Sequence, residues 1–135
     1  NSFYLNPGQN TNNWISLALK GTVSNRSAIG ARIKITFKEN GISRSVYSDV
    51  NSGGSFGCSP LRKEIGIGSA QIIDEINIKW PSGKEQVFKN IKPCRFLKIM
   101  EDADYVADMQ LQKLNYAGNQ KDVIECEPIS TTVKK

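Results

Sequence analysis

The sequence predicts an all-β domain, either an antiparallel β-sandwich or a partly open β-barrel of about seven short strands, followed by a C-terminal extension whose secondary structure is left open. Three observations predict it. Apolar residues recur at every second position through most of residues 14–101, which is the period of strands with one buried face. Ile (15), Val (7) and Thr (5) outnumber Ala (7) and Leu (7), and branched side chains fit a pleated surface better than a helix. Turn-forming residues separate the alternating runs, with no long helical pattern between them.

The elements follow in order. Residues 14–20 place Ile15, Leu17 and Leu19 on one side and Ser16, Ala18 and Lys20 on the other, with Trp14 opposite Ile15. Residues 31–38 turn Ile33, Ile35 and Phe37 inward and Arg32, Lys34, Thr36 and Lys38 outward. Asn40-Gly41 then supplies the positive φ angles of a tight hairpin, and residues 42–50 return with Ile42, Arg44, Val46, Ser48 and Val50 on alternate positions. Residues 51–60 are rich in glycine without periodicity and read as a surface loop. Residues 64–68 alternate Ile65 and Ile67 with glycines, where another backbone could approach closely or the strand could bend. Residues 74–80 alternate Ile76, Ile78 and Trp80 with polar residues and stop at Pro81-Ser82-Gly83, with proline suited to the first corner of a turn. Residues 86–91 and 96–101 complete the set.

The charge changes sign along the chain. Residues 1–101 carry 14 Lys and Arg against 7 Asp and Glu, and residues 102–135 carry 4 against 6. The resulting organisation is a lead-in over residues 1–12, a β domain over residues 13–101 and an extension over residues 102–135. In the extension Ala107, Leu111 and Leu114 would share a helical face, while Met109 and Leu111 would alternate in a strand.

Composition removes several function classes. The chain has no histidine, hence no imidazole base, no imidazole metal ligand and no triad built on one. No run of 18 apolar residues is present to span a bilayer as a helix. The chain opens on Asn1 and reads as an excised or processed piece, so the lack of a leader says nothing of its compartment. Cys58, Cys94 and Cys126 lie far apart, without the close pairs of a zinc or redox motif. At most one pair of them could bridge, and buried inert thiols are the favoured reading.

A set of short motifs then accumulates: Asn13-Trp14, Leu19-Lys-Gly21, Ser24-Asn25-Arg26, Ile29-Gly30-Ala31-Arg32, Ser52-Gly53-Gly54, Ile65-Gly66-Ile67-Gly68 and Trp80-Pro81-Ser82-Gly83. In their order and spacing across residues 13–101 they resemble the ASPIC/UnbV domain. The resemblance implies a small β domain at the carboxyl end of secreted or surface proteins such as cartilage acidic protein, following the FG-GAP repeats of an integrin-like propeller. It implies no catalytic activity, and it assigns the calcium loops to the propeller rather than to this domain. The chain departs from the pattern at Ser55-Phe56-Gly57-Cys58-Ser59, where the family often has an aromatic residue and a Ser-Gln pair, and at Glu64-Ile65-Gly66, where His-Phe-Gly is common.

Each candidate site has a plainer alternative. Asp49-Val-Asn51-Ser-Gly53-Gly54 begins like a calcium loop, yet its fifth position is Gly53 and its twelfth is Pro60, so a metal-free turn is favoured. Counted from Asp102, the cluster Asp102, Asp104 and Asp108 meets Ala107 and Lys113 at the positions that matter and reads as solvated surface. Arg32, Lys34 and Lys38 project from one strand face, with Arg44, Lys79 and Lys89 on polar positions of others, so a basic surface could attract phosphates or acidic polysaccharide, although the ordinary solvated face of a half-buried sheet is the favoured reading. No interleaved aromatics or groove-entering helix point to nucleic acid. Trp80 continues the buried parity and reads as core, whereas Trp14 is ambiguous. Asn25-Arg26-Ser27 meets the glycosylation rule.

The expected function is a non-catalytic interaction module outside the cytoplasm, extracellular or at the cell surface, or periplasmic in a bacterium. It would pack against the parent FG-GAP propeller or hold another protein. The alternative is a carbohydrate-binding module, for glycans including acidic ones, using Trp14 or Phe56 with basic side chains. An enzyme of unfamiliar type would need a pocket that the sequence does not announce. No catalytic residue, cofactor or metal ligand is assigned, and Asn25, Arg26, Arg32, Lys34, Lys38 and Phe56 stand as the candidate surface contacts.

Overall fold

A computed structural model of the chain describes residues 11–53 and 60–110. Among the described residues the chain forms eight strands and no helix: β1 (Asn13–Lys20), β2 (Arg32–Glu39), β3 (Ile42–Asp49), β4 (Lys63–Gly68), β5 (Ile73–Lys79), β6 (Glu85–Ile91), β7 (Arg95–Met100) and β8 (Val106–Asp108). They pair into two four-stranded sheets, β4-β1-β7-β8 and β3-β2-β5-β6. The all-β class and the two-layer arrangement are as expected, and the sandwich alternative is the one realised.

The second sheet is built largely from local turns. Asn40 (φ 52) and Gly41 (φ 80) both adopt the left-handed conformation of a two-residue hairpin loop. That loop fixes the register from Glu39↔Ile42 to Arg32↔Asp49 and sends Ile33, Ile35 and Phe37 into the interior. Between β5 and β6, the Gly83 N–H donates to the Trp80 carbonyl at 2.9 Å and the Trp80 N–H donates to the Lys84 carbonyl at 2.8 Å, with Pro81 at the first corner.

The first sheet is assembled from distant segments, and one of its pairs is parallel. β1 runs alongside β7 with Ile15 opposite Arg95 and Lys20 opposite Met100. Because the other sheet intervenes in sequence between these strands, no hairpin dictates an antiparallel arrangement. β8 falls in the stretch whose secondary structure the sequence left open. Its three residues continue the sheet by pairing Ile99 with Val106 and Leu97 with Asp108, a segment too short for its alternation to stand out.

Both inner faces contribute to one core. Ile15, Leu17, Ile65, Ile67, Leu97 and Ile99 come from the first sheet, and Ile33, Ile35, Phe37, Ile76, Ile78 and Phe88 from the second. Trp80 is also buried, as its parity predicts, and its indole N–H donates to the Gln86 side-chain oxygen. The Gln86 amide in turn donates to the Ala103 carbonyl at 2.8 Å, tying this end of the second sheet to the segment after β7.

At Gly68 the neighbour is a carboxylate rather than another backbone. Gly68 has φ 60, and a Cβ there would run into the Glu39 side chain. That carboxylate accepts the Ser69 N–H at 3.1 Å and pairs with Arg44; the Ser69 bond first and the Arg44 bond second hold it below the usual Glu range.

Candidate functional site

The most densely bonded polar group among the described residues is Glu101, immediately after β7. Leu97 and Ile99 point into the core, and the two-residue period carries Glu101 to the same side, where only 1% of its surface remains exposed. Its carboxylate is fully engaged. Oε2 accepts three successive backbone N–H groups, from Thr22 at 2.9 Å, Val23 at 2.9 Å and Ser24 at 2.7 Å. Oε1 accepts the Ser24 hydroxyl at 2.9 Å and the Ser82 hydroxyl at 2.6 Å.

The loop after β1 is shaped for this purpose. Consecutive N–H groups turned to one side form a concave anion-binding nest. Gly21 permits the tight return, since a Cβ there would collide with the Asn25 carbonyl oxygen. Asn25 closes the loop from the other end: its amide donates to the Ile29 carbonyl at 2.8 Å and its side-chain oxygen accepts the Ile29 N–H at 2.9 Å. Ser24 also accepts the Ser82 N–H at 3.1 Å. Glu101 thus clasps the loop after β1 to the turn between β5 and β6, joining the two sheets at one pole.

The electrostatics follow from the donors. Burial by itself pushes the Glu101 carboxyl upward, but the Ser82 hydroxyl, the Ser24 and Thr22 backbone N–H groups and the Ser24 hydroxyl together hold it down to about 2. Asp102 continues the network, accepting the Thr22 hydroxyl at 2.7 Å and pairing with Lys84. The Lys84 bond first, then the Thr22 bond, lowers the Asp102 carboxyl, and the same ion pair raises the Lys84 ammonium. A shallow depression of about 260 Å³ lies beside this pole, lined in part by Lys84, Gln86, Asp102 and Asp104. The cluster read as solvated surface is exposed at all three carboxylates, of which Asp102 is paired as above and Asp108 with Arg95, whose Nε donates to it at 2.7 Å.

Sequence reasoning overlooked Glu101. A usable signal was present, since a charged residue directly continues the inward parity of Leu97 and Ile99, where an unpaired charge would be costly.

The candidate contacts named from sequence that are described fall in two places, the loop after β1 and the outer face of β2. Asn25 is exposed and occupied in holding its own loop, and Arg26 is exposed in that loop. Arg32, Lys34 and Lys38 lie on the outer face of β2. Arg32 is 3.6 Å from Asp49, Lys34 stands 6.0 Å from the centre of the Tyr47 ring, and Lys79 is 3.9 Å from Glu85. Arg44 belongs to the other face of its strand, opposite Phe37, and pairs with Glu39. Phe56, Cys58 and Cys126 lie outside the described residues. The Cys94 thiol donates to the Asn13 side-chain oxygen at 3.2 Å. Among the described residues no group of three or more His, Cys, Asp or Glu side chains is placed to hold a metal ion, and no helix is long and apolar enough to cross a membrane.

A second recess, also of about 260 Å³, opens on the outer face of the first sheet between Trp14, Glu64, Ile65, Gly66 and Phe96. The Trp14 and Phe96 rings meet with centroids 4.8 Å apart at an angle of 58°. The Arg62 guanidinium lies 5.4 Å from the centre of the Phe96 ring and bonds Glu64 at 2.8 Å. Trp14, ambiguous from sequence, is thus a part-buried outer-face residue rather than a core one.

The fold and its polar pole define a class: a small two-sheet β module whose loops are locked together by an internal carboxylate. The sequence profile of the family described as ASPIC and UnbV matches residues 21–105, more than half of the chain, and the chain belongs to that family. The match spans the clasp from Gly21 through Glu101. No curated protein matches the chain.

Proposed function

We propose that the chain is a non-catalytic extracellular interaction module that packs against or extends an FG-GAP propeller and holds a protein or surface partner. The observation that carries this reading is the use made of the family motif residues. Gly21, Ser24 and Ser82 are spent on the Glu101 clasp, so the strongest ionisation shift near them serves the joining of loops. Tyr47, 72% exposed on the outer face of the second sheet beside Lys34, is the most exposed aromatic ring there and a natural contact for a partner. In the parent protein, FG-GAP repeats are expected ahead of Asn1. Cross-linking mass spectrometry of that parent should then join Lys34 or Lys38 to the propeller. An unrelated upstream domain, or cross-links confined to the chain itself, would overturn the reading.

A second reading, a carbohydrate-binding module, is favoured by one specific observation. The recess at Trp14 and Phe96 combines part-buried aromatic rings with the Glu64 carboxylate in its lining, and the guanidinium of Arg62 bonds that carboxylate and lies against the Phe96 ring.

A further inference from the structure

We infer that the recess on the outer face of the first sheet is a site for a single neutral sugar ring, stacked on Trp14 and hydrogen-bonded at its edge by Glu64 and Arg62. This rests on the carbohydrate reading and narrows it to one site and one ligand class.

The first support is Gly66. It faces Trp14 across the β1–β4 ladder, and a Cβ added there would meet nothing within 4 Å. Its φ is not among the positive ones, so neither the backbone nor crowding calls for glycine at this position. Glycine weakens a strand interior. What its absent side chain leaves is open floor beside the indole.

The second support is the arrangement of polar groups. Trp14 is held from one side by the tilted Phe96 ring, which fixes an aromatic surface in place. The electron-rich face of such a ring attracts the C–H bonds that a pyranose presents on its own face. Glu64 in the lining can then accept from ring hydroxyls, and Arg62, bonded to it and lying against Phe96, can donate to them.

The third support is size and charge. A recess of about 260 Å³ falls below the roughly 300–1,000 Å³ of pockets for drug-sized ligands, so it suits one ring rather than an enclosed chain. Its five lining residues fall well short of the 20 or so residues per side of a stable protein interface. Glu64 and Arg62 neutralise one another, leaving no surplus positive charge to select an acidic sugar.

The test is titration of the full chain with cellohexaose, laminarihexaose, xylohexaose, mannohexaose, galactohexaose and chitohexaose (N-acetylated), with a heparin hexasaccharide beside them, read by calorimetry and tryptophan emission. At least one neutral member is expected to bind at millimolar concentration or below and to shift the emission. Gly66→Val should weaken that binding at least about tenfold while leaving thermal unfolding unchanged or raised, because valine suits an open strand position. Trp14→Ala should weaken it similarly. Binding that survives Gly66→Val, or binding of heparin alone, overturns this site while leaving the carbohydrate reading standing. No saccharide bound by the unmodified chain overturns both.

Discussion

The carboxylate of Glu101 shows how much one side chain can do when a sequence places it at a core position and surrounds it with donors. Removing it in Glu101→Ala leaves three backbone N–H groups facing a void, and an unsatisfied buried donor costs about 1–3 kcal/mol. The expected loss is about 3–5 kcal/mol in a urea denaturation series, comparable to breaking a buried ion pair. Glu101→Gln should cost less, since its carbonyl oxygen can take the N–H groups while the Ser24 and Ser82 hydroxyls rotate to accept from its amide. The same residue fixes an acid response. Its carboxyl lies near 2 in the folded chain against 4.5 for the ordinary value, so its stabilisation is complete above about 4.5 and is lost as pH falls toward 2. Thermal melts of the native chain should therefore drop over that interval, and the Glu101→Gln chain should drop by less. Equal acid sensitivity in both would show that Glu101 is not the group responsible.

Among the elements, the loop after β1 is the one with least freedom to change. Gly21→Ala would press a methyl group against the Asn25 backbone oxygen, an atom that cannot swing aside. A cost of at least about 2 kcal/mol follows, because both overpacking and the loss of converging N–H groups contribute. Gly68→Ala meets only the flexible end of Glu39 and should cost less, about 1 kcal/mol for the left-handed backbone. Chemical denaturation of the two variants side by side tests the order. This contrast also marks what the sequence could and could not convey. Periodicity gave Ile33, Ile35, Phe37, Ile76, Ile78 and Trp80 their burial, and Asn40-Gly41 gave its hairpin, because both signals are local. The clasp was not legible, since Thr22 and Glu101 are 79 residues apart and only the folded chain brings them together. The recess was half legible: the parity of Trp14 opposed that of Ile15, but nothing in the linear order announced Phe96 and Arg62 as its neighbours.

For the molecule as a whole, a formal charge of +5 suggests more affinity for polyanions than the surface supports. Among the described residues Arg32, Arg44, Arg62, Lys79, Lys84 and Arg95 each sit beside a carboxylate, and Lys34 and Lys38 on the outer face of β2 are among the cations with no carboxylate beside them. Exposed pairs contribute little to stability and are screened by salt. The chain should accordingly leave a heparin column at or below about 0.15 M salt, where the screening length is about 8 Å. Lys34→Glu with Lys38→Glu should lower the eluting salt further while changing stability by no more than about 0.5 kcal/mol, as for surface substitutions generally. Elution only at high salt would contradict the paired-charge description.

The parallel contact of β1 with β7 has a consequence for how the chain reaches its native state. While the polypeptide emerges from the ribosome, the hairpin of β2 and β3 can close as soon as both strands are out, but β1 must wait for β4 and, on its other edge, for β7, made near the far end of the domain. Such non-local pairing slows folding. The β7 edge of β1, with the Trp14 ring that later meets Phe96, thus spends the longest interval uncovered, and it is there that a chaperone or a neighbouring nascent chain would find its hold.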